Sequence, residues 1–98
     1  MILEIAQLQI KPNQAASFKT AFAKAEPIIR ASRGYISHEL QKCIEHDHQY
    51  VLLVQWQTLE NHTQDFRNSA EYQTWKNLLH HFYDPFPTVL HYEAVQLN

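Results

Sequence analysis

Glycine occurs once in 98 residues, cysteine once, and acidic and basic side chains nearly cancel, ten against eight. Each scarcity excludes something. A lone Cys43 cannot close an internal disulfide, so the chain is no disulfide-stapled secreted scaffold, and a reducing cytoplasm is the expected setting. The eight Lys and Arg are scattered from Lys11 to Lys76 and the formal net charge is −2, so there is no basic stripe for phosphates and no nucleic-acid partner is expected. The longest purely apolar run, Tyr50–Val54, falls far short of the roughly 20 residues of a membrane span. The alternating N-terminus also lacks the basic region of a signal peptide. With no repeat, low-complexity stretch or linker, residues 1–98 read as one soluble domain with no membrane partner.

What the chain does have is 45% apolar and 12% aromatic residues, enough for a modest core, beside ten Gln and seven His that pull the mean hydropathy to −0.45. Residues 2–10 alternate as a strand, with Ile2, Leu8 and Ile10 on one face, Leu3 and Ile5 on the other, and Pro12 as the stop. Asn13 reads as the N-cap of an amphipathic helix carrying Ala15, Phe18, Phe22, Ala25 and Ile29, with a kink expected near Ala23–Pro27. Gly34 falls where a helix ending near Arg33 calls for a left-handed residue. Tyr35–Cys43 alternates with Ile36, His38 and Leu40 on one face, and Tyr50–Gln57 completes a hairpin. Thr58 caps a short helix with Leu59, His62 and Phe66. Ser69 caps a second, with Glu71 in its first turn and Tyr72, Trp75, Leu79 and Phe82 at helical spacing. Pro85 and Pro87 end the helical region, and Thr88–Leu97 reads as the last strand.

The order β-α-β-β-α-α-β predicts an α+β fold of the ferredoxin-like plan, a four-stranded antiparallel sheet with helices on one face. The third strand adds a constraint. Tyr50, Leu52, Val54 and Trp56 fill one face, yet Val51 and Leu53 are apolar on the other, which one layer of helices cannot cover. A second copy packed against that face, a homodimer, is the simplest cover.

The stretches Gly34–Leu40 (GYISHEL), Tyr50–Trp56 (YVLLVQW), the Thr-Leu-Glu helix start and Ser69-Ala70-Glu71-Tyr72 resemble the antibiotic biosynthesis monooxygenase family in order and spacing over essentially the whole chain. The resemblance implies a dimeric α+β barrel. It also implies one of three functions: cofactor-independent oxygenation of phenolic or quinol substrates, haem degradation, or a domain without catalytic activity. Trp56 matches the Trp of the polyketide-oxidising branch, and Lys76 its basic residue on the last helix. His62 falls at that branch's aromatic position, and Leu52 stands where it has Asn. The haem-degrading pattern fits worse: Ala6, Asp65 and Lys76 (with Trp75 beside it) fall at its Asn, Trp and His positions, and only His80 and His81, one turn on, leave that reading an opening.

Cofactor-free oxygenation asks for a dry pocket, a base near neutral pKa and donors for an oxyanion. Tyr50, Leu52, Val54 and Trp56 can face Phe18, Phe22, Tyr72, Trp75 and Leu79 across an aromatic-lined cleft. The plain alternative is that these residues are simply the core. The expected pocket residues are Trp56, Tyr72, Trp75, Leu52 and Phe22. The expected catalytic residues are His62 or His38 as base and Lys76 or Tyr72 as donor. His62 shares a helix face with Asp65 at i, i+3 and leads, although such pairs are often plain surface. His38 and His91 alternate with buried positions, and at most one of His80 and His81 can enter the cleft. His46 and His48 sit in a turn without zinc-like spacing, so no metal is expected, and no cofactor either. The expected activity is therefore a cofactor-independent monooxygenase on a small aromatic substrate. The alternative is a non-catalytic dimeric ligand-binding or stress-response domain of the same fold.

Overall fold

A computed structural model describes residues 1–97. The elements are β1 (Ile2–Gln9), α1 (Ala15–Arg30), β2 (Tyr35–Lys42), β3 (Gln49–Trp56), a π-helical segment (Asn61–Phe66), α2 (Ala70–Leu79), a 3-10 turn (His80–Phe82) and β4 (Val89–Tyr92). The four strands form one antiparallel sheet in the order β2-β3-β1-β4. The α+β, ferredoxin-like expectation holds.

Alternation decides which side chains meet the helices. On β3, Tyr50, Leu52, Val54 and Trp56 are buried; on β1, Glu4, Ala6 and Leu8 are, as is Ile10 just past its end. From the other layer α1 contributes Phe18, Phe22, Ala25 and Ile29, and α2 contributes Trp75 and Leu79. The helices cover one face of the sheet, so Leu3, Ile5, Val51 and Leu53 stay half-buried on the other. There Ile5 lies opposite both Leu53 and Leu90, and Leu3 opposite Tyr92.

Several local expectations are corrected. Asn13 is not the cap: it takes a left-handed backbone (φ 63°), which Asn tolerates, and the cap position falls to Gln14, whose side chain makes no capping bond. α1 ends at Arg30 rather than Arg33 and runs on through Pro27. Pro27 and Ala23, one turn apart, are both exposed, so the unpaired carbonyl lies on the water side. β4 has four residues instead of the ten expected, because Tyr92 already pairs with Leu3 and β1 has almost no chain left to pair beyond it. In β2 the register shifts between Tyr35 and Ser37. Ile36 is the extra residue of this bulge and is exposed, contrary to expectation, while Tyr35 and His38 come onto one face despite their three-residue spacing.

The two caps of the second half are as read. Thr58 and Asn61 bond reciprocally, Asn61 N–H to Thr58 Oγ1 at 3.2 Å and Thr58 N–H to Asn61 Oδ1 at 3.0 Å. The Ser69 hydroxyl accepts from Tyr72 N–H at 3.2 Å. Gly34 has φ 79°, and a Cβ there would lie 2.1 Å from Asn61 Oδ1 and 2.7 Å from Asn61 Cβ. The lone glycine therefore holds both the turn into β2 and the cap of the π-helical segment. Gly34→Ala is expected to lose more than ~1 kcal/mol, from left-handed strain plus displacement of Asn61. Urea denaturation checks this; an unchanged midpoint would contradict it.

Candidate functional site

The inner face of β1 and β3 does not meet α2 everywhere. A cavity of about 390 Å³ remains between the sheet, the π-helical segment, α2 and the loop that follows the 3-10 turn. Its apolar wall includes Leu8, Leu52, Phe66, Tyr72, Trp75 and Phe86. Its polar lining is Glu4, His62, Arg67 and His80, with the Tyr83 phenol.

Glu4 lies on the inner face because it shares parity with Ala6 and Leu8, and it is only 6% exposed. Its Oε1 accepts the Trp56 indole N–H at 2.9 Å and lies 3.3 Å from His62 Nε2. His62, 4% exposed, stacks on Trp56 with ring centroids 5.3 Å apart and meets His91 Nε2 through Nδ1 at 2.8 Å. One chain thus runs from the cavity wall to the half-exposed edge strand: Glu4, His62, His91.

Burial governs the charge of this chain. Desolvation lifts the Glu4 carboxyl from 4.5 to about 7, against the opposing pull of the Trp56 hydrogen bond and the Arg67 guanidinium. Desolvation, then the positive charge of Arg67 and the nearby His91, drives His62 from 6.5 down to about 3. Burial and then Arg67 lower His91, and burial and then Lys76 lower His80. Glu4 and His62 therefore enter the core as two neutral groups. Glu4 Oε1 and His62 Nε2 stand within ion-pair distance, and across the 2.8 Å contact between His62 Nδ1 and His91 Nε2 the His62 tautomer sets which ring donates. The arrangement can accept a proton from a molecule in the cavity at near-neutral pH and adjust along the chain.

The cavity brings together four of the residues expected from sequence, namely His62, Leu52, Tyr72 and Trp75. Others lie elsewhere. Trp56 is fully buried behind the wall and acts through its N–H on Glu4. Phe22 is core, edge-on to Trp75 at 6.0 Å. His38 is apart from the cavity, held between Glu26 Oε2 and the Tyr35 hydroxyl at 2.6 Å each. Lys76 is exposed and does not line the cavity. The pairing of His62 with Asp65 is corrected: Asp65 is exposed and accepts from Asn61 Nδ2 at 3.0 Å. The cause is the wider π winding, in which Arg67 N–H bonds back to the His62 carbonyl and residue 67, not 65 or 66, completes the turn.

Of the adjacent pair, His80 lines the cavity and His81 is exposed. His46 and His48 are exposed in the β2–β3 turn, and among the described residues no three His, Cys, Asp or Glu side chains converge as metal ligands. Sequence reasoning missed Glu4 and Arg67. Glu4 had a signal, since it shares the parity of Leu8 and Ile10; Arg67 had none without the π winding.

A sheet covered by helices on one face, with a walled cavity between, defines an α+β domain of the ferredoxin-like kind. A profile of the antibiotic biosynthesis monooxygenase family matches residues 1–78, and the chain belongs to that family. The YczJ protein of Bacillus subtilis strain 168, itself uncharacterised, is 55% identical over 95 residues, covering 97% of this chain and all of the relative. A Bordetella bronchiseptica crystal structure carrying the same family description is 36% identical with TM-score 0.92, covering 97% of both chains. The fold is also that of SnoaB, a cofactor-independent oxygenase of Streptomyces nogalater, with TM-score 0.77 at 16% identity over 98% of this chain and 94% of that one. The family match ends before His80, Tyr83 and His91, so part of this site lies beyond it.

The paired neutral groups predict an unusual pH dependence of stability. Between pH 4.5 and 7 the folded chain holds a proton on Glu4 that the unfolded chain has lost, so this contribution falls as pH rises. Between pH 3 and 6.5 the unfolded chain holds a proton on His62 that the folded chain lacks, so that contribution rises with pH. From 4.5 to 6.5 the two slopes oppose and cancel. Glu4→Gln is expected to uncover the rising slope and His62→Gln the falling one, each about 1 kcal/mol per pH unit. Urea midpoints across this range check it against the parent protein, whose slope also carries the rising contributions of His80 and His91; slopes displaced from the parent's in the same direction in both variants would refute the neutral pair.

Proposed function

We propose that this protein is a cofactor-independent monooxygenase for a small phenolic or quinol-like ring, with Glu4 as the general base. The observation that carries the reading is a near-neutral carboxyl on the wall of an aromatic cavity, held by an indole N–H and backed by a histidine pair. A cavity of about 390 Å³ suits one small ring system, toward the lower end of ligand sites. SnoaB offers a precedent for oxygenation without a cofactor on this fold.

The chemistry balances without an external reductant. Glu4 takes the phenolic proton, and the phenolate passes one electron to O₂, giving a substrate radical and superoxide. Their combination forms a carbon–oxygen bond and a peroxide anion, to which Glu4 returns its proton to give a hydroperoxide on a ring carbon that still bears hydrogen. Loss of water then leaves a carbonyl, with one oxygen atom in the product and one in water. Tyr83, whose phenol burial pushes far up, and neutral His80 are the hydrogen-bonding groups nearest to hand for the developing oxyanion. Leu52, where the polyketide-oxidising branch has Asn, favours the second reading, a ligand-binding domain without turnover.

Members of the family are typically dimeric, and the half-buried Leu3, Ile5, Val51 and Leu53 with exposed Leu90 and Tyr92 supply a face for a second copy. Leu53→Lys is expected to shift the protein from dimer to monomer in sedimentation velocity; a monomeric parent protein would rule the dimer out. Oxygen uptake with a panel of phenols and quinols tests the activity. Glu4→Gln is expected to lower kcat by about 10²-fold or more while circular dichroism stays unchanged. Absence of turnover above buffer in the folded parent protein would favour the ligand-binding reading, and full activity in Glu4→Gln would remove Glu4 as base.

A further inference from the structure

We propose that Arg67 makes the cavity a site for aromatic anions, so that its ligand is a small ring compound carrying a carboxylate or comparable acidic group. The inference rests on the cavity being a ligand site, not on oxygenation. Arg67 lines the cavity because the π winding closes its N–H on the His62 carbonyl at 3.2 Å, which brings residue 67 a full turn on from the buried imidazole. Among the described residues no carboxylate lies within ion-pair distance of its guanidinium. The guanidinium, on an exposed residue at the rim of the cavity, is therefore not committed to a structural carboxylate.

The other titratable groups facing this space do not oppose it. From β1 comes Glu4, whose carboxyl burial lifts to about 7, so that it is neutral below that pH and half ionised at it; from the π-helical segment His62 and from the 3-10 turn His80, both held toward neutrality by burial. Tyr72 and Tyr83 are phenols, His91 lies behind His62, and Lys76, just outside the lining, is another cation felt by His80. Asp65 is turned away onto Asn61. The cavity is thus apolar on its walls and positive at one end, which suits an aromatic ring with an anionic substituent. A guanidinium offers that substituent two parallel donors. An anion bound there favours protonation of Glu4, so binding takes up protons and weakens as pH rises through about 7.

Gentisate, a hydroquinone carboxylate, and its methyl ester differ in little but this charge, and both quench tryptophan fluorescence or can be titrated calorimetrically. Gentisate is expected to bind the parent protein at least about tenfold more tightly than the ester. Arg67→Gln should erase that preference and leave ester binding within about twofold, and Arg67→Lys should retain part of it. Calorimetry in buffers of different ionisation enthalpy should register net proton uptake with gentisate near pH 7 and none with the ester. Equal affinity for acid and ester, equal losses for both in Arg67→Gln, or no saturable gentisate binding would each overturn the proposal. Oxygen uptake is read separately. Gentisate preference without turnover of any phenol removes the oxygenase reading alone, and turnover without acid preference removes this inference alone.

Discussion

Everything at the centre of this molecule depends on how a glutamate is accommodated inside a β-sheet core. An ionised carboxylate without partners is too costly to bury, and the usual remedies are a cation or a shift to the neutral form. Here the nearest base is an imidazole that is itself buried. Burial disfavours the charged form of both groups, raising the acid and lowering the base. In water near pH 5 to 6 the two side chains carry one proton between them, on the histidine. In the core they still carry one, on the carboxyl. The pair sheds its charges without changing its proton count, which is how two titratable groups fit in a 98-residue domain without strong pH sensitivity across that interval.

The remaining parts of the site follow from keeping that pair in register. Trp56 closes β3 opposite Ile2, one pleat along from Glu4, so its indole reaches across to the carboxyl while its ring face stacks on His62. β4 need be only four residues long to bring His91 opposite Glu4, within reach of His62. The bulge at Ile36 does comparable work at the far edge, aligning Tyr35 with His38 and Glu26 in a second chain that closes the α1–β2 side and leaves the cavity to the other polar cluster.

Much of this was legible without coordinates, and the failures have physical causes. Alternation in Tyr50–Trp56, the hairpin and the Ser69 cap rest on local rules that one strand or turn satisfies by itself, and they stand; Gly34 has the left-handed backbone expected of it, but in the turn into β2 and not as the cap of α1, which has already ended at Arg30. Glu4 shares the parity of Leu8 and Ile10, which assigns it inward, but a strand carboxylate ordinarily faces water and only the burial of its partners reveals that this one does not. The His62–Asp65 pairing failed for a different reason. It assumed α winding, and nothing in Asn61–Phe66 announces a π turn, whose cost is met by tertiary packing of His62 and Phe66 against Trp56. His38 was rightly read as buried, but only the bulge reveals that its partners are Tyr35 and Glu26 rather than a ligand.

The position of Leu52 bears on how chemistry moves within one fold. The resemblance to the polyketide-oxidising branch assigns a polar Asn there, and this chain has an apolar wall residue instead. Leu52 pairs with Ala6 on β1, and the next residue along the inner face of that strand is Glu4, a diagonal neighbour across the same sheet surface. Where the resemblance assigns a polar group to β3, this chain has its polar group one strand over on the same inner face. A sheet presents equivalent inward positions on adjacent strands, so a functional group can change strands while the cavity and its walls stay in place. The missing Asn leaves the cavity without that branch's amide, and the polar group that its sheet wall does carry is the Glu4 carboxyl. An amide donates and accepts hydrogen bonds without titrating, whereas a carboxyl lifted by burial to about 7 can also exchange a proton near neutral pH.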